Sequence, residues 1–192
     1  MDNTTDEVVY MLPAVSKTLA NILVHDTSLN DSECISFNPP GEKLTGHPGF
    51  HIYCYSVSER VPDHGSDTVS SPVPKTLNCA DLFSNDSLHW FDICFVVIAQ
   101  GYTQLGKHQL LSEALSSLLK HRFLDEEYLA PELQGLGKLS ITITQSSMIH
   151  PSVLWQSLGV PIRPALYVTV TVPIRARAHD SFTYRHFSSW LN

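Results

Sequence analysis

The run LHWFDICFVVIA at 88–99 constrains this chain more than any other stretch. It is rich in β-branched and aromatic residues, and nothing polar interrupts it from Ile93 to Ala99. It is also well short of the 18 or so apolar residues a membrane-spanning helix needs. A strand this apolar belongs in the middle of a sheet, and Gln100-Gly101 ends it.

The flanking segments supply the rest of a layered domain. Pro13 suits the first turn of a helix, and Val15, Leu19, Ile22 and Leu23 follow at helical spacing to about His25. Ile35 and Phe37 alternate around Ser36 as a short strand, which Asn38-Pro39-Pro40-Gly41 stops. A second strand spans about 50–58, with Phe50, Ile52 and Cys54 on one face and His51, Tyr53, Tyr55 and Val57 on the other. Both faces carry bulk, which predicts cover on both sides.

Beyond the central run, a helix is predicted over about 106–122. Leu110, Leu111, Ala114, Leu115, Leu118 and Leu119 form its apolar stripe, and Lys120, His121 and Arg122 complement its C-terminal dipole. A helical turn at 125–129 precedes a strand at 138–145 in which Leu139, Ile141 and Ile143 share a face. A short helix at 151–158 starts at Pro151, buries Val153, Leu154 and Leu158, and ends at Gly159. The last strand, 165–174, alternates Leu166, Val168, Val170, Val172 and Ile174 with Tyr167, Thr169 and Thr171. Strands outnumber helices, and the connection at 59–86 is long and rich in Ser, Asp and Pro, which reads as a projecting arm. These elements predict an α+β fold: a two-layer domain over 1–174, with a mixed, mostly antiparallel sheet packed by helices.

With 192 residues, the chain can bury roughly 70% of the surface its unfolded form exposes, so a core needs no metal or disulfide. The N-terminus, MDNTTDEVVY, lacks the basic and apolar segments of a signal peptide. Cys34, Cys54, Cys79 and Cys94 form no C-x-x-C pair and read as reduced thiols. The net charge of −7 argues against a nucleic-acid partner bound by phosphate neutralisation.

Motifs for catalysis or cofactors are missing. No glycine-rich phosphate loop follows a strand, and no G-x-S-x-G elbow occurs. His47 and His51 are separated by Pro48-Gly49, cannot share a helical face, and read as loop histidines rather than ligands. Asp92 is the unusual carboxylate of the central strand, and the expectation is that it points outward to a polar partner. These readings imply no enzyme, no metal and no cofactor.

The basic, aromatic tail at 175–192 is the feature most suggestive of binding. Arg175, Arg177 and Arg185 alternate with Phe182, Tyr184, Phe187 and Trp190, the residue types that interfaces enrich at their centres. Folding back onto the domain's own core is the competing expectation.

The order of segments is similar to the tail-terminator, or cap, proteins of phage-tail-like extracellular contractile injection systems. The resemblance is carried by the helix at 12–25, ISFNPPG at 35–41, FHIYCYSVSE at 50–59, LHWFDICFVVIA at 88–99, HQLLSEALSSLLKH at 108–121, LSITIT at 139–144 and HPSVLWQSLGVPIRPALYVTVTV at 150–172. The last holds Leu154-Trp155, Leu158-Gly159 and Arg163-Pro164 in order. The resemblance implies a structural protein forming a homo-hexameric ring that caps the tube and sheath, its partners being the tube and sheath proteins. The expected location is cytoplasmic, as part of an assembled injection particle, with a membrane-associated or released particle as the alternatives. The tail and the arm are expected to contact a neighbouring subunit or the sheath. The alternatives are a neck or terminator protein of a contractile phage, a serine hydrolase built on the arm, and a membrane anchor using the tail.

Overall fold

The computed structural model describes residues 11–29, 32–41, 47–60, 86–124, 126–136, 138–143 and 149–177. Helix α1 spans Met11–Asp26 and strand β1 spans Ile35–Ser36. Strands β2 (Gly49–Glu59) and β3 (Asp86–Gln100) form an antiparallel pair, followed by helix α2 (Gln104–Lys120). Then come β4 (Phe123–Leu124), β5 (Leu139–Ile143), the short helix α3 (Pro151–Ser157) and β6 (Leu166–Arg177).

The six strands form one sheet in the order β1-β2-β3-β6-β5-β4. Only β1 and β2 pair parallel. The other neighbours are antiparallel, so the sheet is mixed and mostly antiparallel, as expected. β3 lies between its two longest partners, which is the place its apolarity calls for.

Most of the core lies on one face of this sheet. Ile93, Phe95, Val97 and Ala99 of β3 and Val168, Val170 and Val172 of β6 join Val15, Leu19, Ile22 and Leu23 of α1 and Leu110, Ala114 and Leu118 of α2. The opposite face has a smaller cluster, in which Trp155 of α3 covers Val96 and Ile98 with Tyr53 and Tyr167 beside it. Both the core-facing and the opposite residues of β3 are therefore shielded where α3 sits, while α1 and α2 form the main helical layer.

Local chemistry explains several boundaries. Thr103 caps α2, its Oγ1 accepting from the Gly106 N–H at 3.0 Å, so the helix starts at Gln104 rather than near 106. His150 Nδ1 caps α3 by accepting from the Ser152 N–H at 3.3 Å, and Gly159 ends that region at φ +66°, where a side chain would be strained. Gly49 is required for a different reason. A Cβ there would lie 1.9 Å from the Cys34 carbonyl oxygen, so only glycine allows the chain before β1 to approach β2.

Four expectations are corrected. β2 carries a bulge between Cys54 and Ser56, which puts Val57 opposite core-facing Ile93 instead of on the Tyr53 side. The α2 stripe is narrower than its leucines suggest: Leu115 and Leu119 are 36% and 46% exposed, while Ser117 is buried. In α3 Val153 is 53% exposed and Trp155 takes the core position. His51 is no loop residue; it is buried in β2, where its Nε2 meets Gln100 Nε2 at 2.7 Å.

Candidate interaction surface

Polar side chains meet at two junctions among the described residues. The first joins the C-termini of α1 and α2. Asp26 Oδ1 lies 2.9 Å from His25 Nδ1, and Asp26 Oδ2 lies 3.0 Å from His121 Nε2. Ser117 Oγ donates to the same Oδ2 at 3.3 Å. The His25 hydrogen bond does most to hold the Asp26 carboxyl below the ordinary carboxylate range; burial opposes it, and His121 and Ser117 add to the lowering. The three residue types of a hydrolase are present, but in the wrong order. Catalysis needs histidine between serine and carboxylate, and here the carboxylate sits between them, with Ser117 buried. The junction ties two helices together.

A second junction lies on the opposite face of the sheet. Thr171 Oγ1 donates to Asp92 Oδ1 at 2.7 Å, and Arg60 Nε lies 3.3 Å from Asp92 Oδ2. Asp92 thus meets polar partners, as the sequence suggests. Three residues before Asp92 on β3, His89 Nδ1 meets Glu59 Oε1 at 2.5 Å. Both contacts tie the end of β2, where the 60–85 connection begins, to the first half of β3.

Cys34, Cys54 and Cys94 are free, and burial pushes the Cys54 thiol up, away from nucleophilic use. Cys79 lies outside the described residues, as does most of the 59–86 arm. Among the described residues no group of three His, Cys, Asp or Glu could hold a metal ion, and no helix is long and apolar enough to cross a membrane. An open cleft of about 570 Å³ is lined by Lys17, Asn21 and His25 of α1 and by Glu127, Tyr128 and Pro131.

The expected binding residues divide in two. β6 runs three residues beyond the expected strand end, so Arg175 and Arg177 stand in the sheet, their Cα positions paired with Leu88 and Asp86 of β3. Phe182, Tyr184, Arg185, Phe187 and Trp190 lie outside the described residues. Sequence reasoning missed the exposed apolar residues of the helical layer and sheet edges. Leu105, Leu115 and Leu119 of α2, Phe123 of edge strand β4 and Phe37 beside edge strand β1 are all exposed. Their signal was a surplus of leucine beyond what one buried helical face requires.

Comparison with known proteins assigns the architecture. The model of the Pvc16 N-terminal domain family matches residues 14–181. The chain belongs to this family. Two solved structures share the fold. One is the sheath/tube terminator, in the extended state, of PVC, an extracellular contractile injection system: TM-score 0.57, 17% identity, with 94% of this chain and 65% of that chain covered. The other is the tube-terminating cap of the anti-feeding prophage: TM-score 0.51, 16% identity, with 87% of this chain and 55% of that one covered. This Pvc16 N-terminal domain chain spans somewhat less than two thirds of the first and about half of the second. Comparison with curated protein sequences gives no match. Membership agrees with the resemblance carried by the sequence segments, and the shared α+β sheet agrees with the expected fold class.

Proposed function

We propose that this chain is a structural subunit of a ring that caps the tube and sheath of a contractile injection system. The observation that carries the reading is the joint one: a Pvc16 N-terminal domain match across most of the chain, and a shared fold with a sheath/tube terminator over 94% of its length. The physical features fit a protein that works through its surfaces. The polar junctions brace helices and strands, and exposed apolar residues occur on α2 and at both edge strands as well as at Tyr102, Val153 and Ile162.

Termination by a ring requires two different patches per subunit whose rotation closes, six copies being the expected number. It also requires a third surface that fits the last ring of the tail and offers no seat for another. The tail residues Arg175, Arg177, Phe182, Tyr184, Arg185, Phe187 and Trp190 are proposed to contact a neighbouring subunit or the sheath. The mature location would be within the assembled particle. The test is deletion of the gene followed by electron microscopy of particles. Tubes and sheaths of uncontrolled length are expected, and particles of normal length and integrity would reject the reading.

A further inference from the structure

Helix α2 carries a second stripe that its core contacts do not use. Leu110, Ala114, Ser117 and Leu118 are its buried side. Leu105, Leu115 and Leu119 lie about half a turn away and are exposed, Leu105 by 78%. With His108 and Ser112 they follow a 3-4-3-4 spacing. That repeat lines up a seam of side chains for a second helix crossing at a shallow angle.

The flanks of this seam are basic. Lys107 lies on one side of it, Lys120 lies on the other, and Arg122 follows the last turn. Among the described residues none of these three cations forms an ion pair. The one carboxylate of α2, Glu113, is already engaged: its oxygens accept from the Ser28 N–H at 2.9 Å and from Gln109 Nε2 at 3.2 Å. A basic rim on a chain of net charge −7 is a local feature, and it selects an acidic partner.

We propose that the outward face of α2 docks an amphipathic helix of another protein, one whose apolar stripe is flanked by Asp and Glu. The inference goes beyond the ring reading and does not rest on it, because it needs one partner helix and no closed assembly. The middle of the seam sets the alignment. His108 and Ser112 are exposed there, and Ser112 Oγ donates to the His108 carbonyl at 2.8 Å. Polar residues inside an apolar seam specify register at a cost in affinity. They also interrupt the apolar face that a bilayer would have to accept.

The described helices of a second copy do not supply this partner. Asp26, the only carboxylate of α1, is tied to His25 and His121, and α3 has no carboxylate. A second α2 would bring the same cations against one another.

The test uses the full chain and two labelled helical peptides of about three heptads, with leucines at the 3-4 spacing and either Glu or Lys on the flanks. Fluorescence anisotropy is expected to show salt-sensitive binding of the Glu peptide, with the Lys peptide at least about tenfold weaker. The double variant L115E and L119E should weaken the Glu peptide at least about tenfold with an unchanged thermal melt. The double variant K107E and K120E should exchange the ranking of the two peptides, and it decides if the leucine variant unfolds. No binding of the Glu peptide, equal binding of both peptides, or binding that neither variant changes overturns the proposal. Flotation of the full chain with phosphatidylserine vesicles, lost in the leucine variant, would give the face to a membrane and overturn it. A native mass that falls to one copy in the leucine variant would give the face to a second copy and overturn it too. The ring reading is judged separately, by particle length after gene deletion.

Discussion

His121 Nε2 lies 3.0 Å from Asp26 Oδ2, which locks the last turn of α2 to the last turn of α1. The two residues are 95 positions apart in sequence, so their contact closes the helical layer over the sheet. The Asp26 carboxyl is held low chiefly by His25, with His121 and Ser117 contributing. A carboxyl lowered in the folded state stabilises it above the unfolded-state value, and that stability is lost as pH falls through the folded value. The full chain is therefore expected to weaken in the acid range, below the ordinary carboxylate region. Asp26→Asn should cost about 2 kcal/mol at neutral pH and flatten the acid limb. Urea unfolding from pH 3 to pH 7 measures both, and an unchanged acid limb in the variant would count against the assignment.

Thr18 works as a two-way connector. It is buried, donates to the Ala14 carbonyl at 3.0 Å, and accepts from the Ala130 N–H at 3.0 Å. Thr18→Val keeps the shape and removes the acceptor, which leaves a buried N–H without a partner. The expected cost is roughly 1–3 kcal/mol. Amide exchange at Ala130 should speed up more than exchange at residues in β3, and equal protection at Ala130 in both proteins would contradict the role.

Much of the fold was legible because it rests on local periodicity. The alternation of β6 and the unbroken apolar run of β3 both report burial directly, and the structure places both at the sheet's centre. What stayed hidden depends on partners far along the chain. The bulge at Cys54/Ser56 is defined only against β3, so a strict alternation put Val57 on the wrong face. Ser117 is buried because Asp26 accepts its hydroxyl, and no helical pattern reveals that. Composition alone marked the tail as a candidate site. It gave residue types and no position.

The two leucines at the end of α2 separate the buried face from the exposed one. Leu118 is fully buried and Leu119 is 46% exposed. Leu118→Ala opens a cavity and is expected to cost about 2–5 kcal/mol. Leu119→Ala should stay within about 0.5 kcal/mol. Chemical denaturation of the two variants gives the comparison directly, and equal losses would restore the broad stripe that the sequence suggested.

On the other side of the sheet, Trp155 is the single large anchor of α3. It is 2% exposed, and its Nε1–H donates to the Tyr167 hydroxyl at 2.9 Å. Trp155→Ala removes the cover over Val96 and Ile98 and should cost about 3–5 kcal/mol. Tyr167→Phe removes only the acceptor, at about 1 kcal/mol. Tryptophan fluorescence should shift toward the solvent-exposed range if α3 detaches. A small shift with Tyr167→Phe and full stability with Trp155→Ala would mean that α3 does not hold this face.

Gly49 tests how tightly the edge of the sheet is built. Its Cα faces the Cys34 carbonyl so closely that a Cβ would sit 1.9 Å from the oxygen, well inside contact distance. The obstruction is backbone on both sides, so no side-chain rotation relieves it. Gly49→Ala must push the Ser32–Cys34 turn away and with it β1, which among the described residues pairs through Ile35 with Phe50 and Ser36 with His51. A loss of roughly 1–3 kcal/mol is expected, in the range for overpacking. Because β1 is peripheral, the loss should appear first as faster amide exchange at Ile35 and Ser36, with β3 and β6 still protected. Uniform acceleration across the sheet would show that β1 is an integral part of the core rather than its detachable edge.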